Sequence, residues 1–174
     1  MTRLIAKQLR ISMPTENEIK NIKRNPIYFV VDEVLDTYNI GSLFRLADAI
    51  GIEKMYLCGN MEFPPASRIH KAAVGTESWV PWEKAESTQK TVKELKKKGV
   101  QIIVVEQDSR SISYKDLKPK LPVAIVVGHE TKGVSKKVLN LADIIVELPM
   151  NGINKSFNVW GSAAVIAYKI LETI

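Results

Sequence analysis

The segment VAIVVG, residues 123–128, is the strongest constraint in the chain, because six consecutive positions carry no polar side chain. A strand with one wet face alternates polar and apolar residues, so an unbroken apolar run has to be covered on both faces. Similar runs occur at IYFVVD (27–32), KMYLCG (54–59), VQIIVVE (100–106) and IIVEL (144–148). Helical spacing separates them. Residues 39–50 place Ile40, Leu43, Phe44, Ala47 and Ile50 on one face before Gly51, 87–98 form a polar helix ended by Gly99, and 135–141 and 158–172 complete the series. Thr15 and Glu18 fit a capping box for a short helix over 16–23, which Pro26 bars from continuing. The stretch around RIHKAAVG is ambiguous between elements. Doubly covered strands alternating with helices imply a parallel sheet in a doubly wound α/β domain. In such a sheet ligands collect beyond the carboxyl ends of the strands, here the loops after positions 32, 59, 106, 128 and 148.

Length and composition narrow the partners. A chain of 174 residues, 45% hydrophobic, supports one core, so residues 25–174 are expected to be a single domain preceded by a short basic arm or helix over 1–24. No apolar run approaches the roughly 20 residues of a membrane span, and MTRLIAKQLR lacks the apolar stretch of a signal peptide, so a soluble cytoplasmic protein is expected. Cys58 stands alone and the two histidines, His70 and His129, lack ligand spacing, so no structural metal is expected and Cys58 reads as a buried strand residue. The net charge of +6 favours an acidic partner, nucleic acid first. Arg3, Lys7, Arg10, Lys20, Lys23 and Arg24 form the better candidate for touching phosphates, whereas Lys93, Lys96, Lys97 and Lys98 read as the solvated face of a helix.

Three blocks carry polar groups at the ends of buried elements. In GHETKGVS (128–135) the glycines stand as in a phosphate-binding loop, but Val134 occupies the position that must be lysine, and no GxGxxG dinucleotide fingerprint occurs either. Glu130 is then either a structural turn carboxylate or a functional one. In NIGSLFRLA (39–47), Asn39 reads as the helix N-cap and Arg45 projects away from Leu43 and Ala47, as a surface arginine or as a fork aimed at phosphate. In MNGINKSFNVW (150–160), Asn158 can cap the last helix, while Asn154 and Ser156 either face solvent in the loop or surround a ligand. The helix that follows is apolar on nearly every side and needs more than one neighbour to cover it.

Together the blocks resemble the motifs of the SpoU family of RNA ribose 2′-O-methyltransferases, in the SPOUT superfamily. Asn39, Gly41, Arg45 and Ala47 match its first motif, Val126, Val127, Gly128, Glu130 and Gly133 the second, and Pro149, Met150, Ser156, Asn158 and Val159 the third, in the family's order over about residues 26–172. The segment KAAVGTESWVPW further resembles the tRNA guanosine 2′-O-methyltransferase branch. Two positions depart from the pattern: Phe157 replaces a usual leucine, and Trp160 stands where a small serine is common. His129 is not the commonest residue inside the second motif, and its expected role is packing or a backbone hydrogen bond.

The resemblance implies a Rossmann-like parallel sheet with a deep C-terminal trefoil knot, from about Gly128 onward, against the general rarity of knots. It implies S-adenosylmethionine as cofactor, a homodimer, and RNA as substrate, with tRNA, and a D-loop guanosine in particular, favoured over rRNA. Carried over residue by residue, the cofactor pocket comprises Val105, Glu106, Gly128, Leu148, Met150 and Phe157, and the catalytic group comprises Arg45, Asn39, Glu130, Ser156 and Asn158. Arginine stays protonated at ordinary pH, so Arg45 is expected to hold the adjacent phosphate and steady the developing alkoxide rather than to act as the base. The rivals are a catalytically idle RNA-binding protein on the same fold, and a flavodoxin-like binder of a small molecule.

Overall fold

A computed structural model describes residues 13–174. The first twelve positions, with Arg3, Lys7 and Arg10 of the expected basic arm, lie outside the described residues. The elements run in chain order as α1 (Glu16–Lys20), β1 (Asn25–Asp32), α2 (Thr37–Ile50), β2 (Ile52–Cys58), α3 (Ser67–Ala73), β3 (Trp82–Ala85), α4 (Thr88–Lys97), β4 (Gln101–Val105), β5 (Ile112–Ser113), β6 (Val123–Gly128), α5 (Lys136–Leu139), β7 (Ile144–Glu147) and α6 (Val159–Leu171). The capping box is formed as expected, with Thr15 N–H donating to Glu18 at 2.8 Å and the Glu18 N–H donating back to Thr15 Oγ1.

All seven strands join one sheet in the order β3-β2-β1-β6-β4-β7-β5, and every neighbouring pair is parallel. The apolar run of β6 explains itself in this arrangement. Val123, Ile125 and Val127 join a cluster with α2, α3 and α6, while Ala124 and Val126 join the opposite cluster with α4 and α5. Both sides of the central strand are therefore dry, and alternation has nothing to distinguish. Cys58 belongs to the second cluster and is fully buried; burial pushes its thiol up to about 11.

Several boundaries differ from the sequence reading for identifiable reasons. Asn39 does not cap α2. Asp36 does, its carboxylate accepting from Tyr38 N–H at 2.8 Å, which leaves Asn39 buried in the first turn with its amide free for other partners. RIHKAAVG resolves into α3, because Gly41 of α2 leaves room for it: a Cβ there would lie 2.5 Å from that of Ala72. The edge strands β3 and β5 escaped notice, being short and largely exposed or half-buried. In α6, Ala163, Ile166, Ala167 and Ile170 are buried, yet Trp160, Val165 and Tyr168 remain exposed, so part of its apolar surface lacks cover. No helix among the described residues is long and apolar enough to cross a membrane, and none of their His, Cys, Asp and Glu side chains form a group that could hold a metal ion.

Candidate active site

At the carboxyl ends of β4, β6 and β7 the chain leaves the sheet three times, and the three exits enclose a cavity of about 480 Å³. Val105 and Glu106 line it from the first exit, Gly128 and Glu130 from the second, and Leu148, Met150, Ser156, Phe157 and Asn158 from the third, with Asn39 entering from α2. Ten of the eleven residues expected to form the site thus meet in one place. Arg45 is the exception: it is exposed on the outer face of α2, about a turn and a half beyond Asn39, and does not line the cavity.

The three motif blocks are joined by a chain of hydrogen bonds. Asn158 Nδ2 donates to Asn39 Oδ1 at 3.0 Å, and Asn39 Nδ2 donates to Glu130 Oε1 at 3.0 Å. The Glu130 carboxylate also accepts the backbone N–H groups of Leu35 at 3.2 Å and Asp36 at 3.0 Å, just ahead of α2. Burial by itself would raise the Glu130 carboxyl, but these donors outweigh it and hold the group below the usual carboxylate range. Glu130 is accordingly an ionised anchor that fixes the start of α2 to the end of β6. Asn158 has a second task, since its Oδ1 accepts from Trp160 N–H at 3.0 Å and caps α6.

Each exit has its own geometry. Gly128 cannot carry a side chain, because a Cβ would sit 2.6 Å from the Gly133 carbonyl carbon where the loop folds back. Gly133 adopts φ 64° and abuts Glu106, whose Oε2 accepts from Val134 N–H at 2.8 Å. His129 Nδ1 accepts from Thr131 N–H at 3.1 Å, the backbone bond anticipated for it. Ser156 turns toward its own loop, N–H and Oγ both meeting Asn154 Oδ1 at 3.0 Å. Phe157 lies against the backbone of Gly161 with about half its surface exposed. Lys155 and Gln107 also line the cavity, and neither stood out in the sequence. Gln107 occupies the loop after position 106, one of those where ligands were expected, but no local pattern marked its side chain.

The walls suit a nucleoside-bearing cofactor. The volume falls within the roughly 300–1,000 Å³ of small-molecule sites, and Val105, Leu148, Met150 and Phe157 supply apolar flanks beside the backbone groups of the three exits. On the other side of the Gly128–Gly133 loop lies a second cavity of about 350 Å³, bordered by Asp32, Glu33, Thr88, His129, Gly133 and Lys137. Asp32 accepts from Thr88 Oγ1 and from the Ser135 N–H there, but burial dominates and holds its carboxyl above the usual range.

Comparison with known proteins agrees with this architecture. A family model described as the SpoU rRNA Methylase family matches residues 26–168. The chain is 26% identical over 145 residues to a putative TrmH family tRNA/rRNA methyltransferase, YacO, of Bacillus subtilis (strain 168), covering 83% of this chain and 58% of that protein. It is 26% identical over 152 residues to a tRNA (guanosine(18)-2′-O)-methyltransferase of Aquifex aeolicus (strain VF5), covering 87% and 72%. The chain therefore spans less than three fifths of the length of the Bacillus relative. The fold superimposes with a TM-score of 0.80 on the AdoMet-bound rRNA methyltransferase from Sinorhizobium meliloti, at 20% identity, over 95% of this chain and 60% of that one.

Proposed function

The chain belongs to the SpoU rRNA methylase family, and we propose that it transfers a methyl group from S-adenosylmethionine to a ribose 2′-hydroxyl of RNA, with tRNA the preferred substrate. One observation carries this reading. The family's three motif blocks, far apart in sequence, converge through the Glu130–Asn39–Asn158 chain on the wall of a cavity of cofactor size. The Sinorhizobium neighbour carries AdoMet and the Aquifex relative is named for ribose methylation of tRNA, which supports cofactor and reaction alike. S-adenosylmethionine supplies the electrophilic methyl group when bound.

The protein's own contribution is placement. Val105, Glu106, Gly128, Leu148, Met150 and Phe157, which line the cavity, would hold the cofactor through apolar side chains and backbone groups. Asn39 and Asn158, locked by Glu130, orient the reacting groups, and Ser156 stands at the mouth. Arg45, outside the cavity, holds the phosphate next to the target ribose and steadies the developing alkoxide, whose proton passes to water. Glu130 is a poor proton acceptor because its carboxylate is already bound by three donors.

Two features of assembly belong to the same reading. The last strand, β7, is inserted between β4 and β5, and the segment after it is bonded to Gln107 in the loop leaving β4, which supports a chain threaded as a trefoil knot. Tyr38 on α2 and Trp160 and Tyr168 on the adjoining α6 are exposed large apolar side chains, which supports a homodimer that covers them. Trp160, unexplained by motif, is then one of the side chains the partner subunit covers.

The test is incubation with methyl-labelled S-adenosylmethionine and unmodified tRNA and rRNA transcripts, followed by mapping of the modified ribose. Label at a tRNA 2′-oxygen is expected. Cofactor binding without transfer to any RNA would favour the idle RNA-binding rival, and no cofactor binding would remove the reading altogether.

A further inference from the structure

Residues 151–158 are exposed throughout, yet Asn154, Lys155, Ser156, Phe157 and Asn158 form one wall of the large cavity. A wall so placed needs something to hold it. At its far end Asn158 is fixed by capping α6 and by its bond to Asn39, but before it Ser156 meets only Asn154, two residues away. Between Asn151 and Phe157, the one hydrogen bond among the described residues that crosses to another part of the chain runs from Gln107 Nε2 to the Lys155 carbonyl at 2.7 Å.

Gln107 is itself well placed to act as a strut. It follows Glu106, whose N–H donates to Val146 O in β7 and whose carboxylate accepts from Val134 N–H and from the Gln107 N–H at 3.0 Å. The backbone at 106–107 is therefore tied to the sheet and to the Gly133–Val134 turn before the Gln107 side chain reaches out to the third loop. All three exits that enclose the cavity are joined at this one dipeptide.

We infer that Gln107 is a positioning residue for the cofactor, setting the distance of the 154–157 wall from the β4 and β6 exits; the inference rests on the methyltransferase reading above. An exposed hydrogen bond contributes little to global stability, but a 154–157 segment released from its cross-tie to Gln107 must be ordered again each time a ligand binds. The cost falls on cofactor affinity rather than on folding.

Gln107→Met preserves length and bulk without the donor, and Gln107→Lys restores a donor of similar reach. S-adenosylmethionine affinity is measured by titration calorimetry, with tryptic cleavage after Lys155 and the melting temperature recorded in parallel. Gln107→Met is expected to weaken binding by about three- to tenfold, a hydrogen bond's net worth. It should also speed cleavage at Lys155 with the melting temperature within a degree or two of the parent, and Gln107→Lys should recover most of both losses. Unchanged affinity and cleavage in Gln107→Met would overturn the inference while leaving the methyltransferase reading intact. A parent that fails to bind S-adenosylmethionine refutes the methyltransferase reading, and the inference with it. A melting temperature that falls in step with affinity would overturn it too, by making Gln107 an ordinary structural residue.

Discussion

Two carboxylates sit at the ends of adjacent parallel strands, and their environments push them in opposite directions. Asp32 closes β1 and faces the smaller cavity, where burial outweighs its two donors and the carboxyl is held above the ordinary range. Glu130 follows β6 and faces the larger one, where three donors outweigh burial and the carboxyl is held below it. The strands pair directly, Asp32 against Gly128, yet Asp32 is the more deeply buried of the two, with Glu33 beside it, whereas Glu130 stands two residues beyond its strand, exposed and held by more donors. The balance of donors against burial separates an anchor built to stay charged from a carboxylate whose charge the fold tolerates.

The comparison is broken most severely at Glu130. Glu130→Ala leaves the amide of Asn39 and the N–H groups of Leu35 and Asp36 without their acceptor, and methyl transfer is expected to fall by about a hundredfold, the scale of small misplacements at a reacting centre. Single-turnover transfer of labelled methyl, with circular dichroism to confirm folding, checks it. Next in size is Asn158→Ala, which removes both the α6 cap and the link to Asn39. A stability loss of about 0.5–2 kcal/mol in denaturant titration is expected from the cap, accompanied by lowered transfer.

The two carboxylates also predict opposite responses to pH. Glu130's folded value lies below its unfolded one, so its stabilisation is present above the ordinary carboxylate range and is lost as pH falls through the lowered value. Asp32's folded value lies above its unfolded one, so stability is greatest with the proton on and declines as pH rises between the two values. Glu130→Gln should therefore flatten the acid limb of the stability curve. Asp32→Asn, which keeps an acceptor for Thr88 and Ser135, should be more stable than the parent at neutral pH by less than the Asn158→Ala loss, with that advantage shrinking in acid. Urea midpoints measured from pH 3 to pH 7 distinguish these signs, and equal slopes in both variants would contradict the assignment. The smallest effect concerns Cys58, which should resist alkylation at pH 8 in the folded protein and react only on unfolding.

Legibility followed the kind of force involved. The strands were readable because burial on both faces leaves its mark at every position, and β6 showed it most plainly. Asn158 could be read as a cap because capping is local; its bond to Asn39, 119 residues away, could not. The cap of α2 was misplaced by three residues since Asp36 and Asn39 both suit the role, and only the backbone at Asp36, extended with φ −73° and ψ 113°, selects between them. The helical state of RIHKAAVG depends on Gly41 in another helix. Neither the exclusion of Arg45 from the cavity nor the reach of Gln107 across to Lys155 follows from spacing, since each is set by how separate loops stand in space.

The position of β7 has a consequence for the order in which this molecule can be made. Although it is the last of these seven strands to emerge during synthesis, its neighbours in the sheet are β4 and β5, both made earlier. A partly translated chain must keep that slot open, with the edge of β4 awaiting a partner and β5 having none. Asn158, which completes the chain of amides to Glu130, comes later still. Emergence from the ribosome thus acts as a timer: the sheet's far edge and the cavity wall become available together, within the short stretch from β7 to Asn158.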